Sequence, residues 1–165
     1  MHSFNTSLYA AAIALALGAS RVDFLGGDPR HSEVAARLGA NVIEGPIPQR
    51  LGPYPITVNA SSDRPRLHFA LCSTAPDGIC SSAGLYFGED TPIPLMEMYT
   101  KGITFQTGRL HARHVMPRAL QLVAEGRIHP ELVTAEVADW SDAPEALVAH
   151  QAKLVITRQC LGAAT

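Results

Sequence analysis

The chain has 165 residues, which suits one ordinary domain and is short for two. Thirteen Lys and Arg against 15 Asp and Glu leave a formal net charge of −2, whereas a nucleic-acid binder would show a basic excess. At 47% hydrophobic and 17% charged residues, the composition supports a packed core and excludes a disordered chain.

Leu8 to Ala19 (LYAAAIALALGA) is a near-continuous apolar run. Its 12 residues would span about 18 Å as a helix, too little for a bilayer core of roughly 30 Å. No Lys or Arg occurs between His2 and Ser7, which disfavours a secretory signal. The run therefore reads as a buried helix, with no membrane partner. Gly18 offers its stop, and Arg21 to Leu25 reads as a short strand. Asp28 suits an N-cap and Pro29 the first position of a helix over His31 to Leu38, closed by Gly39. Asn41 to Ile43 is a second strand, residues 44–54 a Pro- and Gly-rich loop, and Ile56 to Ala60 a third strand.

Pro65 to Thr74 reads as a helix with Leu67, Ala70 and Leu71 inward. Asp77-Gly78 reads as a turn before a fourth strand, Ile79 to Leu85, that breaks at Gly84. A helix through Leu95, Met96, Met98 and Tyr99 follows, both methionines being assigned to core packing. Gly102 to Thr107 is a fifth strand with Ile103 and Phe105 on one face. Pro117 is expected to open a helix that carries Leu120, Leu122 and Val123 and ends at Gly126. Glu136 to Ala138 is extended, Ser141 is expected to cap a short helix, and Leu154 to Thr157 is the last strand. Short apolar strands alternating with helices predict an α/β fold with a parallel, doubly wound sheet and no internal domain boundary.

Cys72, Cys80 and Cys160 form no CxxC pair and are odd in number, which argues against a disulfide framework or a cysteine zinc site. Buried thiols and a reducing, cytoplasmic compartment are the simpler expectation. His111 and His114 (HARH) have a metal-ligand spacing but lack a third ligand at a natural distance, so an exposed basic turn is favoured. No GxSxG elbow is present. His2 to Ser7 carries no GxGxxG, and capping explains its Ser and Asn residues better than anion binding. Asp28 and Arg30 are candidates for a ribose and a 2′-phosphate, against the plainer roles of cap and solvated arginine.

The segments LYAAAIALALGASRVDFLGGDPRHSEVAARLGANVIEG, ALCSTAPDGICSSAGLYFGEDTPIPLMEMYTKGITFQTGRLHARHVMPRALQLVAEGRI, DWSDAPEAL and KLVIT follow one another in an order that resembles the cofactor-binding, C-terminal portion of zinc-type, medium-chain alcohol dehydrogenases. The resemblance covers residues 7–158. It implies NAD or NADP as cofactor, and hydride transfer between an alcohol and the nicotinamide, with zinc in the family but no zinc ligand in this chain. It places Ala83 and Leu85 at the nicotinamide, Ile103 and Phe105 on the adjoining strand facing the ring, and Lys153 toward the pyrophosphate. Gly26 stands where the family has its ribose-binding acid, which weakens an NAD preference. The family's first, central strand and Gly-rich turn have no counterpart, so the expected fold is an incomplete, Rossmann-like sheet in a single truncated nucleotide-binding domain.

That sheet would have two unpaired inner edges. Each buried unpaired backbone group costs about 1–3 kcal/mol against a net stability of about 5–15 kcal/mol, so the chain is expected to be marginal unless something fills the slot. Catalysis by this polypeptide alone is not expected. A binding or dimer-assembly module is the alternative, with a homodimer formed through the uncharged edge strand 102–107. A mis-started reading frame is a third.

Overall fold

Helix α1 (Phe4–Ala16) opens the fold and buries Leu8, Ala11 and Ala12, the i, i+3, i+4 stripe that an amphipathic helix presents to a core. It starts before the apolar run and stops ahead of Gly18, whose φ of +96° is a left-handed conformation that a side chain would oppose. The computed structural model describes residues 4–88, 90–109, 111–149 and 153–158.

Strand β1 (Asp23–Leu25), helix α2 (Pro29–Arg37) and strand β2 (Asn41–Ile43) form the first parallel unit. The strands pair in register, Asp23 opposite Asn41 and Leu25 opposite Ile43. Asp28 caps α2 as its position implies, accepting a hydrogen bond of 2.9 Å from the Arg30 N–H. Leu8, Ala11, Phe24, Ala35, Ala40 and Val133 make the core of this half.

Strand β3 (Tyr54–Asn59), helix α3 (Arg64–Cys72), strand β4 (Thr74–Ser82), helix α4 (Leu95–Lys101) and strand β5 (Thr104–Thr107) form the second unit, a parallel sheet ordered β3-β4-β5. Its separate core is Leu67, Ala70, Leu71 and Cys80, with Met98, Ile103 and Phe105 packed against it. Helix α5 (Ala112–Ala124), strand β6 (Glu136–Asp139), helix α6 (Ala143–Ala149) and strand β7 (Leu154–Thr157) follow. Strands β6 and β7 pair only with each other among the described residues. The architecture is α/β and Rossmann-like, with parallel strands and intervening helices. No helix among the described residues is long and apolar enough to cross a membrane.

Four local expectations are corrected. Asp77-Gly78 is not a turn between elements but a bulge inside β4: the register steps from Tyr54–Thr74 to Ile56–Ile79, so three extra residues loop out of the ladder. Gly78 is needed there, because a Cβ would lie 2.8–2.9 Å from Thr74 and from the carbonyls of Ala75 and Pro55. Pro117 sits within α5 rather than at its start. Its whole turn faces solvent, where water can satisfy the carbonyl that proline cannot serve. The cap after β6 is Asp139, which accepts the Ser141 N–H at 3.0 Å, not Ser141 itself. Met98 packs in the core as expected, whereas Met96 is 74% exposed. Cys72 and Cys80 are buried thiols, and Cys160 lies outside the described residues.

Candidate functional site

The chain winds outward in two directions from one line. From β1 it passes through α2 to β2, then returns to β3 and winds the opposite way through β4 to β5. The reversal lies between β1 and β3, and such a switch point is where open α/β sheets bind ligands, outside the carboxyl ends of the strands. No backbone ladder joins β1 to β3 among the described residues. Between them lies a cavity of about 460 Å³, walled by β1, β3, α1 and α3, with Ala11, Phe24, Val58 and Phe69 among its lining residues. That volume falls in the range of small-molecule and cofactor sites.

One polar link spans the cavity at the amino end of the strands. The Asp23 carboxylate on β1 accepts hydrogen bonds from Arg21 Nε at 2.8 Å, Asn41 Nδ2 at 2.7 Å and the Tyr54 hydroxyl of β3. Burial pushes the Asp23 carboxyl up, but the three donors and the Arg21 charge together hold it below the ordinary carboxylate value. The Tyr54 phenol is pushed up to about 12, by burial first and then by the bond to Asp23.

At the carboxyl end, Gly26 and Gly27 leave β1, while Asn59 closes β3. Asn59 Nδ2 donates to the Ser61 carbonyl at 3.2 Å and bonds the Tyr86 hydroxyl, and Ser61 Oγ donates back to Asn59 Oδ1 at 2.8 Å. Gly84 touches this loop so closely that a Cβ would lie 2.0 Å from the Ser61 carbonyl oxygen. The strand ends at Ser82, short of the expected Leu85, and Gly84 beyond it lets the 59–61 loop pass.

The expected site residues fall in three places. Asp28 and Arg30 stand beside the Gly26-Gly27 turn and hold each other, Arg30 Nε at 3.4 Å and Nη2 at 3.2 Å from the carboxylate. Ala83 and Leu85 follow β4, at the rim made by Asn59 and Ser62: the Ala83 N–H donates to the Asn59 carbonyl at 2.9 Å and the Leu85 N–H to Ser62 Oγ at 3.3 Å. Ile103 and Phe105 are half-buried against the second core and do not line the cavity. Lys153 lies apart from it, its Nζ donating to the Tyr9 hydroxyl at 2.8 Å and resting over that ring. His111 and His114 sit exposed at the start of α5.

Sequence reasoning missed Arg66, which lines the cavity from α3 with its guanidinium over Gly27. It also missed the Asp23–Tyr54 link. Both contacts join residues far apart in the chain, and no local pattern marks them.

No protein-family model matches the chain, and no curated protein does. Solved structures do. An alcohol dehydrogenase, TADH from Thermus sp. ATN1, is 26% identical with a TM-score of 0.73, over 93% of this chain and 50% of that one. The chain resembles the cofactor-binding, C-terminal portion of zinc-type medium-chain alcohol dehydrogenases. The fold of 2R,3R-butanediol dehydrogenase from Bacillus subtilis matches with a TM-score of 0.80 at 17% identity, over 92% of this chain and 48% of that one. YhdH from E. coli K-12, solved with bound NADPH, matches at 0.66 and 19% identity, over 92% and 50%. The chain thus spans about half the length of these solved structures. Among the described residues, no group of three or more His, Cys, Asp or Glu is placed to hold a metal ion.

Proposed function

We propose that the chain binds a nicotinamide dinucleotide, NAD or NADP, across the carboxyl ends of β1 and β3, as the cofactor-binding portion of an NAD(P)-linked alcohol dehydrogenase, and does not oxidise alcohols by itself. The observation that carries this reading is the coincidence of the cavity with the switch point of the sheet. When bound, the nicotinamide supplies the carbon that takes or returns a hydride. The chain's own residues bind and orient. Asp28 and Arg30 mark the ribose end, where α2 begins. Ala83 and Leu85 offer backbone and side chain to the nicotinamide end. Ile103 and Phe105 brace that end from the core behind β4. Lys153, which holds the Tyr9 hydroxyl of α1 outside the cavity, would have to leave that bond to serve as the cation for the pyrophosphate.

Titration of the full chain with NADH and NADPH, followed by nicotinamide fluorescence, is expected to saturate. A linear response up to millimolar dinucleotide would refute the reading. With cofactor, zinc and aliphatic or aromatic alcohols present, turnover is expected to stay at the blank rate.

A second reading rests on the outer edge of β5, which pairs only with β4 among the described residues and carries no charged side chain. In that reading the edge joins two copies of the chain. Light scattering showing a stable dimer that binds no dinucleotide would favour it over the first.

A further inference from the structure

The geometry points to Arg66 as the residue that receives a phosphate monoester on the adenosine ribose, so that the crevice prefers the 2′-phosphorylated dinucleotide. This rests on the dinucleotide reading above and names a discriminating group within it.

Three observations converge at the carboxyl end of β1. The first concerns room for an acid. A ribose diol is ordinarily held there by a carboxylate that accepts from both hydroxyls. Gly26 offers no carboxylate there, and a Cβ on it would lie 2.5 Å from Ser32 Oγ, so an acid at this position would first have to displace that hydroxyl. The second concerns Arg30, the nearest arginine in sequence. Its guanidinium is engaged by Asp28 through two nitrogens, it is exposed, and it does not line the cavity. The third is Arg66 itself. It reaches across from the first turn of α3, half-buried, and its Nη2 would stand 2.9 Å from a Cβ on Gly27. The same guanidinium lines the cavity and has no hydrogen bond or ion pair among the described residues.

The chemistry follows from these placements. A guanidinium donates in a planar fork that matches two oxygens of a phosphate, and it cannot accept a bond from a hydroxyl. A turn with an unpaired arginine, whose one carboxylate, Asp28, is already held by Arg30, thus suits a phosphate better than a diol. Gly27 assists by having no side chain between the guanidinium and the crevice, and Asp28 competes little while Arg30 neutralises it.

The test compares dissociation constants of NADPH and NADH for the full chain and for Arg66→Ala, Arg66→Lys and Arg64→Ala, with circular dichroism confirming each fold. NADPH is expected to bind the parent chain more tightly than NADH by about tenfold or more. Arg66→Ala should lose that preference by weakening NADPH alone, Arg66→Lys should restore part of it, and Arg64→Ala, on the same helix but outside the cavity, should keep it. Equal affinities in the parent, or a preference that survives Arg66→Ala, would overturn the inference and leave the dinucleotide reading standing. If neither dinucleotide binds, both fall.

Discussion

The two half-sheets of this chain are built alike and held differently. The β1-β2 unit pairs only three residues per strand and draws its core from α1, α2 and Val133. The β3-β4-β5 unit has strands of six, nine and four residues, and its core comes almost entirely from α3 and β4. The two buried clusters share no residue, and the cavity lies between them. The lesson is that the switch point is at once the proposed binding crevice and a seam that no ladder crosses among the described residues. A ligand that fills it would join the halves as well as occupy a site, since anything that binds only the folded chain stabilises it.

The comparison breaks most sharply in the cores. Leu71 is fully buried in the second core, and Leu71→Ala is expected to cost about 2–5 kcal/mol in urea unfolding. Leu8→Ala should cost a similar amount, yet the pattern of lost amide protection should differ. It is expected to concentrate in β1 and β2 for Leu8→Ala and in β3, β4 and β5 for Leu71→Ala. Uniform loss in both variants would show a single cooperative core instead.

The seam itself is tested by Tyr54→Phe, which takes one donor from a carboxylate that is 6% exposed. Hydrogen bonds to charged groups contribute about 1.5–3 kcal/mol, so the melting temperature should fall by several degrees. The pH dependence has two signs. Asp23 is held below the ordinary carboxylate value, so its contribution is present above that value and is lost as pH falls through the folded pKa. The Tyr54 phenol is raised from 10 to about 12, so its contribution is complete below pH 10 and is lost as pH rises toward about 12. Melting temperatures recorded against pH should fall at both ends, and Tyr54→Phe should remove the alkaline fall.

The smallest expected effects are at the caps. Asp28→Ala and Asp63→Ala each remove a side-chain acceptor from a helix start, at about 1 kcal/mol apiece by urea unfolding. Asp28→Ala should also release Arg30, which the Asp63 variant leaves paired.

Elements governed by local chemistry were legible in the sequence. Asp28-Pro29 and Gly39 bracket a helix because capping and left-handed exit depend on single residues. Ile103 and Phe105 read as sharing one face because strand alternation is local, and both meet the second core. What escaped depended on tertiary surroundings. Asp77-Gly78 has turn chemistry, yet the β3 ladder captures it as a bulge. Pro117 reads as a helix start, yet solvent tolerates it mid-helix. Of the site, the turn beside Asp28 was readable from its glycines. Arg66 was not, because it looks like any surface arginine until α3 is laid across from Gly27.

The most direct measurement is amide NMR of the full chain under titration with NADPH. Shifts are expected to concentrate at Phe24 to Gly27 and Val58 to Ser61, the two carboxyl ends that face the cavity. Shifts centred on the outer edge of β5, or none at saturating dinucleotide, would contradict it.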